Sequence, residues 1–129
     1  MAVIETKALE KTYHDGSVDV HAVRGVDLQI QPGEFTALVG PSGSGKTTLL
    51  NMIGGLDEPT VGSVWVDGTD LSTLRDNDLI DFRLRKIGFV FQAYNLIPVL
   101  TATENTEFIM LLQKRPKAER EKRAMQLLK

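Results

Sequence analysis

The chain has 129 residues, with 15 Lys and Arg against 17 Asp and Glu and a formal net charge of −2. A chain of that length removes about two-thirds of its unfolded surface from water on folding. Its composition, 42% hydrophobic and 25% charged, excludes disorder, collagen and low complexity. With no cysteine, a disulfide scaffold, a thiolate metal site and a cysteine nucleophile are excluded. No apolar run approaches the roughly 18 residues that span a bilayer. The opening Met-Ala-Val-Ile-Glu-Thr-Lys is charged too early for a secretory signal, so a cytosolic protein is expected.

In chain order, Val3 to Tyr13 reads as a first strand, and Asp15-Gly16-Ser17 as a turn. Val18 to Ile30 reads as one long or broken strand, interrupted near Gly25. Gln31-Pro32-Gly33-Glu34 is a second turn. Phe35–Val39 is short and mostly apolar, as in a buried strand of a parallel sheet. A glycine-rich loop follows at residues 40–45, then a breaker-free helix from Lys46 to Ile53, stopped by Gly54-Gly55. Ser63 to Asp67 is a strand ending in an Asp67-Gly68 turn. Asp76 or Asn77 caps a helix running to about Lys86, with Leu79, Phe82 and Leu84 as its apolar members. Ile87–Phe91 reads as another buried strand. Thr101 to Glu104 has the spacing of a capping box, predicting a helix from Thr101 to about Gln113. Pro116 suits the first turn of a last helix. The alternation of strand and helix gives the α/β class.

Charge is unevenly spread. Residues 114–129 hold seven basic and two acidic side chains, net +5, and the other 113 residues are net −7. A basic tail can bind nucleic acid or a membrane surface, and it can equally be a solvated helix face. No aromatic residue interleaves with the charges, so no nucleic-acid partner is expected.

Gly40-Pro41-Ser42-Gly43-Ser44-Gly45-Lys46-Thr47 fits G-x-x-x-x-G-K-[ST] without departure. At ordinary residue frequencies roughly one chain in a few hundred of this length carries the pattern by chance. Here an apolar run precedes it and a helix follows, as the chemistry requires. A triphosphate needs many donors at close range. Glycines let successive N–H groups point into one concavity, and the helix adds its positive end. Lys46 can reach the β- and γ-phosphates, the Thr47 hydroxyl can ligate Mg²⁺, and Thr48 continues the cradle.

Tyr13, 27 residues before Gly40, and the run Ile87-Gly88-Phe89-Val90-Phe91-Gln92-Ala93-Tyr94-Asn95-Leu96-Ile97-Pro98 add to that motif. With Asn51 to Asp57 and Thr101 to Asn105, they make the chain resemble the ATP-binding subunits of ABC transporters. The branch it looks most like serves lipoprotein release, macrolide export and cell division. The resemblance implies a P-loop NTPase fold with an N-terminal antiparallel β subdomain. It implies ATP or ADP and Mg²⁺ as ligands, Tyr13 as the aromatic that stacks on adenine, and Gln92 beside Mg²⁺ and the attacking water. Ala93 to Leu100 would meet a transmembrane permease subunit through Tyr94, Leu96, Ile97, Val99 and Leu100. A packed loop is the alternative there. A second ATP-binding subunit would complete the parent, which would sit on the cytoplasmic side of the membrane. Residues 1–92 would be the nucleotide-binding core and 93–129 the start of the helical subdomain.

Several family features are missing. Thr103 and Thr106 place hydroxyls where the branch carries apolar residues. No Ser-Gly-Gly signature is present, and no apolar strand ends in Asp-Glu. Val64-Trp65-Val66-Asp67 continues into Gly68 and reads as a strand before a hairpin turn. The only histidines, His14 and His21, precede the glycine loop. The chain therefore looks like the N-terminal part of such a subunit, ending inside the helical subdomain. It is expected to bind nucleotide without turning it over, and unpaired strands are expected to drive a non-native oligomer. Two other readings stay open: a non-enzymatic nucleotide-binding or docking module, and a small P-loop kinase. The two strands ahead of the loop and the lack of a lid with paired arginines speak against the kinase.

Overall fold

A computed structural model describes residues Met1–Lys129, which form two compact units, Met1–Leu79 and Ile80–Lys129. The elements are β1 (Ile4–Asp15), β2 (Val18–Ile30), α1 (Lys46–Ile53), β3 (Val61–Val66), β4 (Thr69–Asp70), α2 (Asp76–Lys86), α3 (Ala102–Leu112) and α4 (Lys117–Leu127).

The first unit is built on an antiparallel sheet of order β2-β1-β3-β4. Thr6 and Leu9 of β1 are both buried although three residues apart, because the register shifts between them, with Ala8 at φ +47°, offset the alternation; Val23, Val64 and Val66 are buried with them. α1 lays Leu49, Met52 and Ile53 into the same core. Thr6 is buried with its hydroxyl donating to the Val26 carbonyl at 2.9 Å, so it leaves no unpaired donor. The β1–β2 register shifts between Thr6 and Thr12, and Gly25 sits opposite that stretch with φ +65°. The interruption read at Gly25 is thus a set of bulges within one strand.

The turns follow their residues. The Glu34 amide donates to the Gln31 carbonyl at 3.1 Å, and the Glu34 carboxylate accepts from the Gln31 amide at 2.8 Å. Asp67 and Gly68, both at positive φ, join β3 to β4 with Val66 opposite Thr69. That is the two-residue hairpin turn whose twist matches its strands.

In the second unit, α3 has a complete capping box. The Thr101 hydroxyl accepts from the Glu104 amide at 3.1 Å and the Glu104 carboxylate accepts from the Thr101 amide at 3.0 Å. The Thr101 amide, and after it the Thr101 hydroxyl, hold the ionised Glu104 carboxyl below its usual range. The Asn105 side chain bonds to backbone groups of Ile97, Leu100 and Thr101, fixing the approach to α3. The Thr106 hydroxyl donates to the Ala102 carbonyl at 2.8 Å, which satisfies it within its own helix. α4 turns most of its charges to solvent, and two i,i+4 ion pairs staple its start, Arg115 just before the helix with Glu119, and Lys117 with Glu121.

Two sequence expectations need correction. Phe35–Val39 and Ile87–Phe91 are not strands, and neither enters the sheet. Phe35 and Val90 are fully exposed and Val39 is 91% exposed. Apolarity selects a segment for burial, but a strand also needs a hydrogen-bonded neighbour, and β1–β4 pair only among themselves.

Candidate functional site

The glycine loop delivers the geometry its residues require. Gly43 and Gly45 have φ +79° and +92°, and Gly45 is the N-cap of α1. A side chain at Gly45 would collide with the Ala22 carbonyl of β2, so only glycine lets loop and strand approach so closely. The Ser44 amide donates to the Pro41 carbonyl at 3.2 Å and closes the turn. Unlike α3, α1 has no side-chain cap, so the donors of its first turn stay available to an outside acceptor.

Lys46 lies across the loop. Its ammonium donates to the carbonyls of Gly40 and Pro41, the latter at 2.8 Å, and to the Ser44 hydroxyl at 3.5 Å. The Thr47 hydroxyl is exposed and has no hydrogen-bond partner in the chain. A cavity of about 590 Å³ opens beside the loop, lined among others by His21, Arg24, Gly43, Ser44 and Lys46. Its cations and uncapped helix end favour an anionic ligand. The free Thr47 oxygen suits a hard divalent cation.

Tyr13 stands on β1 opposite Val20 and is 39% exposed. Its hydroxyl donates to Asp57 Oδ2 at 2.6 Å, and the Thr48 hydroxyl faces it too. Asp57 holds the Tyr13 phenol above its ordinary pKa. Burial raises the Asp57 carboxyl, but the Tyr13 hydroxyl and Lys11 outweigh it and hold the group below the usual range. The sequence reading missed Asp57. Its signal, Asp57-Glu58-Pro59, looks like an ordinary charged loop, and its partner Tyr13 is 44 residues away.

The structure brings Tyr13, Thr48 and the glycine loop together in the first unit. Gln92 belongs to the second unit, in a bend, and is exposed. Of the five residues expected to form a docking patch, Tyr94, Leu96 and Val99 are exposed, while Ile97 and Leu100 are half-buried. Within that unit a cavity of about 720 Å³ is lined mainly by Phe91, Tyr94, Leu96, Ile97, Phe108 and Ile109. No helix is long and apolar enough to cross a membrane.

Comparison with known proteins places this geometry. A profile described as ABC transporter matches residues 23–129. The macrolide export ATP-binding/permease protein MacB of Brucella abortus is 48% identical over 98% of this chain and 20% of its own length. The lipoprotein-releasing system ATP-binding protein LolD of Pseudomonas fluorescens is 43% identical over 98% of this chain and 56% of its own. A dimeric structure of the ATP-binding cassette MJ0796, in a post-hydrolysis state bound to ADP and Pi, superposes with a TM-score of 0.89. It is 46% identical over 95% of this chain and 54% of that one. The chain spans about half the length of the stand-alone ATP-binding relatives it matches. The fold is that of a P-loop NTPase of the ABC ATPase kind with an antiparallel β subdomain. Its 129 residues hold no Ser-Gly-Gly run and no apolar strand ending in Asp-Glu. The chain belongs to the ABC transporter family.

Proposed function

We propose that this chain is the N-terminal part of an ABC transporter ATP-binding subunit and that it binds ATP or ADP with Mg²⁺ without turning ATP over on its own. The observation that carries this reading is the glycine loop on an uncapped helix, with Lys46 lying across it. Backbone donors of residues 40–48 hold the phosphates, and the Lys46 ammonium leaves the Pro41 carbonyl for a β- or γ-oxygen. Tyr13 gives the base a flat face. Mg²⁺ would supply charge neutralisation to the phosphates, and Thr47 would be its protein ligand in the first unit. Gln92 is the proposed group on the Mg²⁺ and water side.

Turnover needs more. Phosphoryl transfer to water requires a positioned nucleophile and charge stabilisation on the γ-phosphate. A positioned general base alone contributes about 10²–10⁴ in rate. No Asp-Glu pair ends a strand here, and no histidine follows the loop. Residues 1–92 serve as the nucleotide core in this reading. Residues 93–129 begin the part that meets a transmembrane permease, with Tyr94, Leu96 and Val99 exposed for that contact. The parent pairs with a second ATP-binding subunit at the cytoplasmic face of the membrane. The unpaired apolar segments 35–39 and 87–91 favour strand-paired association of this chain with copies of itself.

Calorimetric titration of MgATP tests the reading. Lys46→Ala removes the cation but leaves the loop amides, and is expected to weaken binding by about 1.5–3 kcal/mol, the scale of a charged hydrogen bond. Phosphate release by the wild type is expected to stay at background. Equal MgATP affinity in both proteins contradicts the cradle. Steady phosphate release that Lys46→Ala abolishes contradicts the lack of turnover.

A further inference from the structure

Asp57 lies outside the sets assigned above to phosphate, base and metal, yet it is among the most connected side chains of the first unit. Its two carboxylate oxygens are divided. Oδ2 accepts the Tyr13 hydroxyl at 2.6 Å. Oδ1 accepts the Glu58 amide at 2.9 Å and lies 3.0 Å from the Lys11 ammonium. Lys11 also donates to the Glu58 carbonyl at 2.7 Å, and its nitrogen lies 5.2 Å from the centre of the Tyr13 ring. Its side chain is only 15% exposed, so it is a built contact rather than a free surface lysine. Asp57 is itself anchored, because the amides of Leu56 and Asp57 donate to the Asn51 carbonyl of α1 at 2.8 and 3.3 Å.

These contacts tie the tip of the Tyr13 ring to the end of the helix whose first turn belongs to the glycine loop. They also place a cation over one ring face, an arrangement favourable in itself, while the ring as a whole stays 39% exposed. A half-exposed tyrosine without such ties loses rotamer freedom when a ligand stacks on it, and a ring already held avoids that cost.

We propose that Asp57 and Lys11 are positioning residues for the base platform, holding the Tyr13 ring at a fixed offset from the phosphate loop, with a cation over one face and a nucleobase taken on the other. The inference rests on the reading of Tyr13 as the base platform. It gives Asp57 a role in affinity for the base portion of a nucleotide and none in affinity for phosphate.

The test compares ATP with inorganic tripolyphosphate, which has the phosphates but no base. Each is titrated calorimetrically with Mg²⁺ into wild type, Tyr13→Ala, Asp57→Ala, Asp57→Asn and the Tyr13→Ala/Asp57→Ala double variant. Asp57→Ala is expected to weaken ATP by about tenfold, the scale of one hydrogen bond to a charged group, and to leave tripolyphosphate unchanged. It should add nothing on top of Tyr13→Ala. Asp57→Asn keeps an acceptor for the tyrosine hydroxyl and should restore most of the ATP affinity.

Wild-type ATP affinity in Asp57→Ala, with Tyr13→Ala weakened, overturns the positioning role alone. Equal loss of ATP and tripolyphosphate in Asp57→Ala overturns it as well, because the residue then supports the loop as a whole. Wild-type ATP affinity in Tyr13→Ala removes the platform reading first, and the inference falls with it. Should Asp57→Ala fail to fold, Lys11→Met supplies the second variant. It frees the covered ring face and should weaken ATP while sparing tripolyphosphate. Unchanged ATP affinity in Lys11→Met overturns the proposal.

Discussion

The glycine loop with α1, and the apolar segments 35–39 and 87–91, are the parts of this chain whose sequences speak most plainly, and they end in opposite states. Residues 40–53 adopt the turn, the left-handed glycines and the helix that their residue types demand, and they bury Leu49, Met52 and Ile53. The two apolar segments leave Phe35 and Val90 fully in solvent. The difference lies in where each structure finds its partners. A helix satisfies its hydrogen bonds within itself, and a phosphate loop needs only its own backbone and the strand beside it. A strand takes all its ladder bonds from elsewhere. The distinction is therefore between structure closed locally and structure that requires a neighbour.

That comparison can be sharpened at three points. The largest expected effect is at Tyr13, which joins a locally closed loop to a sheet contact. Tyr13→Ala should weaken ATP and GTP alike by about 1–3 kcal/mol, because every base has a stacking face. A loss confined to ATP in parallel titrations would instead indicate hydrogen bonds to the base edge. Next is the cap of α3, a purely local device in the second unit. Thr101→Ala removes the acceptor for the Glu104 amide and should cost about 0.5–2 kcal/mol of stability, read by denaturant unfolding. An unchanged midpoint would mean that the helix is held by tertiary contacts. The smallest effect is at Phe35. Replacing a fully exposed side chain with lysine should change stability by less than about 0.5 kcal/mol. It should still reduce self-association in light scattering, because a charge on an unpaired edge opposes pairing. A large loss of stability in Phe35→Lys would show that the side chain is buried in solution.

The same division decides how much was legible in the sequence. α1 was bounded at both ends by Gly45 and Gly54, α3 by Thr101 and Glu104, and the β3–β4 turn by Asp67-Gly68, all from signals within a few residues. The phosphate motif was legible for the same reason. Sheet order was not, since β1 lies between β2 and β3, and its pairing with β3 joins residues about 50 to 60 positions apart. Asp57 escaped notice because its role comes from Tyr13 and Lys11, which reach its loop from β1, more than 40 residues earlier in the chain. The two apolar segments were misread as strands because hydrophobic pattern reports a tendency to be buried and carries no information on whether a partner is there.

Hydrogen exchange followed by mass spectrometry, at a protein concentration low enough to prevent association and with and without MgATP, tests the distinction most directly. Amides of α1 should be protected in the free protein, and residues 40–48 should gain protection with MgATP. Residues 35–39 and 87–91 should exchange as fast as unstructured peptide in both conditions. Protection of those two segments equal to that of α1 in the free protein would contradict the account, because they would then have found a partner within the chain.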